Sequence, residues 1–145
     1  MSLAAFQTAL ADLAASPALV TLVRADAATL PARYALSEKE ARRLTAIAAS
    51  RGMEANCILY RANRLAPVAL NLPETCTALG DDLAGLLSEY WVAEPRTDVH
   101  FLLEADRFAR FLGSHPALTA AARTALAPEA AIVAARLAAS RALAV

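Results

Sequence analysis

The chain has 145 residues, with 14 basic side chains balanced by 14 acidic ones and a hydrophobic content of 58%. Ala and Leu alone account for 39 and 23 residues, against four Gly, which leaves little material for strands and excludes a sandwich or barrel. Zero net charge provides no global attraction to nucleic acid or anionic lipid. The composition predicts an all-α protein, a single compact bundle of about seven to nine short helices. The length fits one domain over 1–145, with an N-terminal helical segment over 1–52 and a helical core over 53–145.

Ser2 is placed to cap a first helix that runs to about Ala15, and Ser16-Pro17 restarts a short one with Pro at its favoured first position. Asp26 and Pro31 are expected to break the chain before Tyr34. Ser37-Glu38-Lys39-Glu40 is a capping box and predicts a helix to about Ser50, stopped by Gly52. The next helix, Met53 to Leu72, carries Ile58, Ala62, Leu65, Ala69 and Leu72 as its expected apolar stripe, with a kink or break at Pro67. Pro73 opens a short turn of helix ending at Gly80, and Asp81 or Asp82 begins a helix whose Leu83, Leu86, Leu87 and Tyr90 share one face. After Pro95, Thr97 or Asp98 should cap a helix presenting Phe101, Ala105, Phe108 and Leu112, stopped by Gly113. Glu104–Arg107 and Asp106–Arg110 read as solvated pairs on its outer face. Ser114-His115-Pro116 reads as a turn, and Pro128 is expected to separate two final Ala-rich helices.

Little in this pattern supports chemistry. His100 and His115 are the only histidines, and no His or Cys stands at ligand spacing, so neither a metal site nor a catalytic residue is expected. Gly-rich phosphate loops and nucleophile elbows are missing. Asp81-Asp82 is explained by its place at a helix N-terminus. Cys57 and Cys76 read as small buried hydrophobes of a reducing compartment, a disulfide being the alternative. The N-terminus lacks a basic stretch and carries Asp12, so it reads as an amphipathic helix and not a signal peptide. No window of about 18 apolar residues is free of charge, so no membrane span is expected. A cytoplasmic protein is the expectation.

Charge is segregated along the chain. Five Arg face one Glu between Arg42 and Arg64, and five acids face no base between Glu74 and Glu94. The richest segment is Asn56-Cys57-Ile58-Leu59-Tyr60-Arg61-Ala62-Asn63-Arg64. On a helix Asn56, Tyr60, Asn63 and Arg64 share one stripe, with Arg61 beside it. Such a face can bind an acidic peptide, a phosphate or a partner's carboxylates. The alternative is an internal network in which one of the two arginines pairs with acids of the Glu74–Glu94 segment. Tyr90 reads as core, and Trp91 as core edge or interface.

The same residues carry a resemblance. Leu59-Tyr60-Arg61-Ala62-Asn63-Arg64, then Leu72-Pro73-Glu74-Thr75-Cys76-Thr77-Ala78-Leu79-Gly80, then Leu87-Ser88-Glu89-Tyr90-Trp91 form a succession, followed by Arg107-Phe108-Ala109-Arg110-Phe111-Leu112 and the helix at Pro128 to Ala131. From Leu59 to Leu143 this succession resembles a helical family long labelled as DNA-binding. Its members accompany multinuclear non-haem iron oxidative enzymes in ribosomal peptide natural-product biosynthesis, as in the methanobactin and thiaglutamate pathways. The resemblance implies a non-catalytic accessory subunit that docks on a TIM-barrel iron enzyme as a heterodimer and presents a ribosomally made precursor peptide. It implies no cofactor in this chain, iron belonging to the partner. Tyr60, Arg61, Asn63, Arg64 and Trp91 are the candidate partner- and peptide-binding residues. Two alternatives stand beside it: a DNA-binding helical module using Arg42, Arg43, Arg51, Arg61 and Arg64, and a small helical subunit of an extradiol-type dioxygenase, which the stretch around Leu36-Ser37-Glu38-Lys39-Glu40 resembles.

Overall fold

Capping residues and prolines set most of the helix boundaries. The structure is a computed structural model that describes residues 3–96 and 101–143. Ser2, Thr97, Asp98 and His100, to which the sequence assigns caps and a histidine, lie outside the described residues. Among the described residues there are nine α-helices, one 3₁₀ turn and no strand, so the protein is all-α. Contacts divide the chain into two compact units, Met1–Ala62 and Asn63–Val145. The division falls within one helix, not at the 52/53 boundary suggested by the sequence.

The first unit contains α1 (Leu3–Ala15), α2 (Pro17–Ala25), α3 (Thr29–Arg33), α4 (Glu38–Ala49) and the start of α5 (Arg51–Asn71). Ser16 caps α2, its hydroxyl accepting from the Leu19 amide at 3.1 Å. Ser37 and Glu40 form the reciprocal capping box of α4. Pro31 does not break the chain as expected. It sits in the first turn of α3, where an amide hydrogen would find no partner in the helix anyway. Gly52 does not stop α4 either. Ser50 ends it with extended backbone, and Gly52 is already inside α5. The core consists of apolar side chains, with Leu13, Val23, Leu30, Leu44 and Ala48 at or near zero exposure, and the small Met53 and Cys57 face of α5 closes it. Cys57 donates its thiol to the Leu13 carbonyl at 3.4 Å, which satisfies a buried polar atom.

The second unit contains the rest of α5, α6 (Pro73–Leu79), a 3₁₀ turn (Gly80–Asp82), α7 (Leu83–Ala93), α8 (Phe101–Ser114) and α9 (Ala120–Ala142). Gly80 ends α6 at φ +52°, a backbone conformation that side chains disfavour. The expected break at Pro128 is absent, since α9 runs through it, and at Pro67 α5 continues, so of the kink or break expected there the break does not occur. An internal proline costs about 3 kcal/mol. In α9 the halves on either side of Pro128 bury one face in common, Ala122 and Leu126 before it and Val133 and Leu137 after it. Burial of one large aliphatic side chain is worth about 1.5–3 kcal/mol, so the shared face outweighs the lost hydrogen bond. Gly113 likewise fails to stop α8, which continues to Ser114. Among the described residues no single helix is long and apolar enough to cross a membrane; α1 and α2 are bent by 109° at their junction and bury residues in the first core.

Candidate functional site

The buried stripe of α5 differs from the one the sequence suggests. It runs through Met53, Cys57, Arg64 and Val68. Of the expected positions, Leu65 is half-buried against the second core and Leu72 is fully buried, while Ile58 is 70% exposed and Ala62 and Ala69 face outward. At about 100° per residue this is a rotation of about a third of a turn. The cause is Arg64. A cation occupies a core position, and a hydropathy pattern that treats arginine as surface locks onto the neighbouring stripe instead.

Arg64 is 2% exposed and its Nε donates to Glu104 Oε1 of α8 at 2.6 Å; Glu104 is 1% exposed. Its guanidinium carbon lies 5.1 Å from the centroid of the Tyr90 ring. Tyr90 packs edge-on against Phe108 at 5.2 Å and against Phe111 at 5.6 Å, and Phe111 reaches His115 at 5.4 Å. His115 Nε2 stands 3.0 Å from Glu89 on α7. Burial above all, and then the Glu104 charge, push the Tyr90 hydroxyl up to about 12, against the opposing pull of Arg64. This cluster corrects two expectations. Glu104 is not solvated but is the buried acid of the second core. Arg64 is internal, and its acid comes from α8 and not from the Glu74–Glu94 segment. A guanidinium this buried offers nothing to a partner, so Arg64 leaves the candidate surface. The Asp106–Arg110 pair, by contrast, forms on α8 as expected.

The other candidate residues are distributed as follows. Tyr60 and Arg61 are half-buried on α5 in the first unit, and Asn63 is exposed on α5 in the second. Trp91 is half-buried against the second core. The outer side of α5 also exposes Leu59 at 62% and Leu70 at 76%, besides Ile58. Isolated exposed leucines are ordinary, but Ile58 and Leu59, adjacent and both exposed in the first unit, are the kind of surface a partner covers.

A further polar device was not legible in the sequence. Glu129 of α9 reaches the N-terminus of α6 and accepts from the Glu74 amide at 2.9 Å, the Thr75 amide at 2.9 Å and the Thr75 hydroxyl at 2.6 Å. A carboxylate supplied from a distant helix does the work that Leu72, at the cap position, cannot do. Spacing within α6 contains no signal for it, because the capping group comes from 54 residues away.

Both cysteines are free; Cys57 is buried and Cys76 half-buried. Burial raises both thiols, with the charges of Arg61 and Arg24 pulling Cys57 back down. Among the described residues no group of three His, Cys, Asp or Glu side chains is arranged to hold a metal ion. The chain matches no protein-family model, no curated protein and no solved structure.

Proposed function

We propose that this chain is a non-catalytic accessory subunit that docks on a multinuclear non-haem iron oxidative enzyme and presents that enzyme's ribosomally made peptide substrate. The observation that carries the reading is the outer side of α5, where exposed Ile58 and Leu59 stand beside Tyr60 and Arg61 in the segment of densest family resemblance. Apolar anchors with an arginine and an aromatic beside them are the usual make-up of an interface hot spot. Tyr60, Arg61, Asn63 and Trp91 are the residues proposed to serve binding. The iron and its ligands would belong to the partner, a TIM-barrel enzyme, and the assembly would be a heterodimer in the cytoplasm.

The test is co-expression with the iron enzyme and the precursor peptide encoded beside it. Co-elution of the two proteins, with peptide modified only when both are present, is the expected result. An enzyme that modifies the peptide equally well without this chain would overturn the reading. A second reading, a DNA-binding module, draws on Arg42, Arg43, Arg51 and Arg61, but the zero net charge weakens it. Nanomolar affinity for one operator sequence in a mobility-shift assay would favour it.

A further inference from the structure

The first unit contains a surface feature that the accessory role does not by itself require. Two depressions, of about 450 and 390 Å³, share the Arg24 and Glu54 side chains as a common wall. One is lined by Val23, Ala27, Ala49 and Arg51, the other by Val20, Cys57, Ile58 and Arg61. Each falls in the lower part of the size range of small-ligand sites. Their charged lining includes Arg24 and Arg51 against the single Glu54, a positive excess over largely apolar walls.

Arg24 is held in place by the backbone. Its Nε donates to the Ala48 carbonyl at 2.8 Å and its Nη2 to the Ser50 carbonyl at 3.2 Å, both at the C-terminal end of α4. The remaining Nη1 donates to Glu54 at 2.6 Å. The Glu54 side chain is 66% exposed, whereas Arg24 is 33% exposed. The guanidinium is therefore preorganised by carbonyls that stay put, while the carboxylate opposite it is a solvated side chain whose replacement costs little.

We propose that these two depressions form one docking trough for an acidic, apolar peptide segment, one carboxylate of which takes the place of Glu54 on Arg24. Apolar side chains of the segment enter the depressions on either side, and a further acid meets Arg51 at one far end. The inference rests on the peptide-presenting role proposed above and names the chemistry of the peptide. Charge complementarity selects this occupant over a basic or neutral one.

The test is fluorescence anisotropy on the full chain with a short fluorescein-labelled peptide alternating leucine with glutamate. Its counterpart with lysine for glutamate is the control, and melting temperatures are recorded for each variant. Exposed ion pairs are worth at most a fewfold in affinity, so Arg51→Gln should weaken binding of the acidic peptide about two- to fivefold. Glu54→Gln, by removing the competing carboxylate, should tighten it by about the same factor. Added salt should weaken it. Equal affinity for the lysine peptide, no binding of the glutamate peptide, or unchanged or weaker binding in Glu54→Gln would each overturn the inference. Ile58 and Arg61 line the trough and also belong to the surface proposed to dock on the iron enzyme, so both variants are placed at residues outside that surface. Failure of the peptide to bind while the enzyme complex persists therefore refutes the trough alone, and loss of the enzyme complex with peptide binding intact refutes the docking role alone.

Discussion

The two units of this chain use polar groups in opposite ways. The first keeps its core apolar and places its polar devices at helix ends near the surface: Ser16, the Ser37–Glu40 box, and Arg24 on the carbonyls that end α4. The second buries polar groups in or beside its core, namely Arg64, Glu104, Thr75 and Glu129. The lesson concerns what each arrangement asks of its residues. A surface cap can fail and be replaced by water, whereas a buried charge without its partner has nothing to replace it.

The largest expected effect follows from that contrast. Arg64→Ala takes the Arg64 charge away from buried Glu104 and should cost about 3–5 kcal/mol, read as a fall in melting temperature of about 10 °C or more. The double variant Arg64→Met with Glu104→Leu should recover most of the loss, because a buried ion pair seldom outperforms well-packed apolar groups. A double variant no more stable than Arg64→Ala would mean that the pair contributes more than mutual neutralisation. Next in size is Glu129→Ala. It strips three donors at the start of α6 of their acceptor and should cost about 2–3 kcal/mol in denaturant unfolding.

Alkaline titration separates the units in another way. The Tyr90 hydroxyl is raised from about 10 in the unfolded chain to about 12 in the folded one. Its contribution is complete below pH 10 and is lost as pH climbs through 12, because above pH 10 the unfolded chain sheds a proton that the folded one keeps. Tyr90→Phe should flatten that decline in urea midpoints measured across this range. The smallest effect belongs to the first unit. Hydrogen bonds from Ser37 lower Glu40, whose contribution is therefore present above its ordinary carboxylate range and fades as pH falls. Glu40→Gln should remove this slight acid dependence and little else, as thermal melts at pH 3 and pH 7 would show.

The same contrast explains how much could be read from the sequence. The starts of α2, α4 and α6 follow from local chemistry, because Ser16, Pro17, Ser37 and Pro73 act within one turn of them. The stripe of α7, Leu86, Leu87 and Tyr90, follows from periodicity alone. The α5 stripe does not, because Arg64 sits where an apolar residue is expected. Glu104 was assigned to solvent for the same reason: its partner lies 40 residues earlier in the chain. Pro128 reads as a break from local rules, and only the face shared by both halves of α9 overrides them. On α5 the helix is legible in the sequence and the direction of each side chain is not. The two arginines, Arg61 and Arg64, are three residues apart and point to different fates.

Those two arginines also provide the most direct test. Arg61→Ala and Arg64→Ala are each melted and titrated calorimetrically against the iron enzyme proposed as partner. Arg64→Ala should melt far below the parent chain. Arg61→Ala should bind the proposed enzyme about thirtyfold more weakly, the equivalent of about 2 kcal/mol at a hot spot. An Arg61→Ala chain that binds with parental affinity, or an Arg64→Ala chain as stable as the parent, would contradict the division into one arginine for the core and one for the partner.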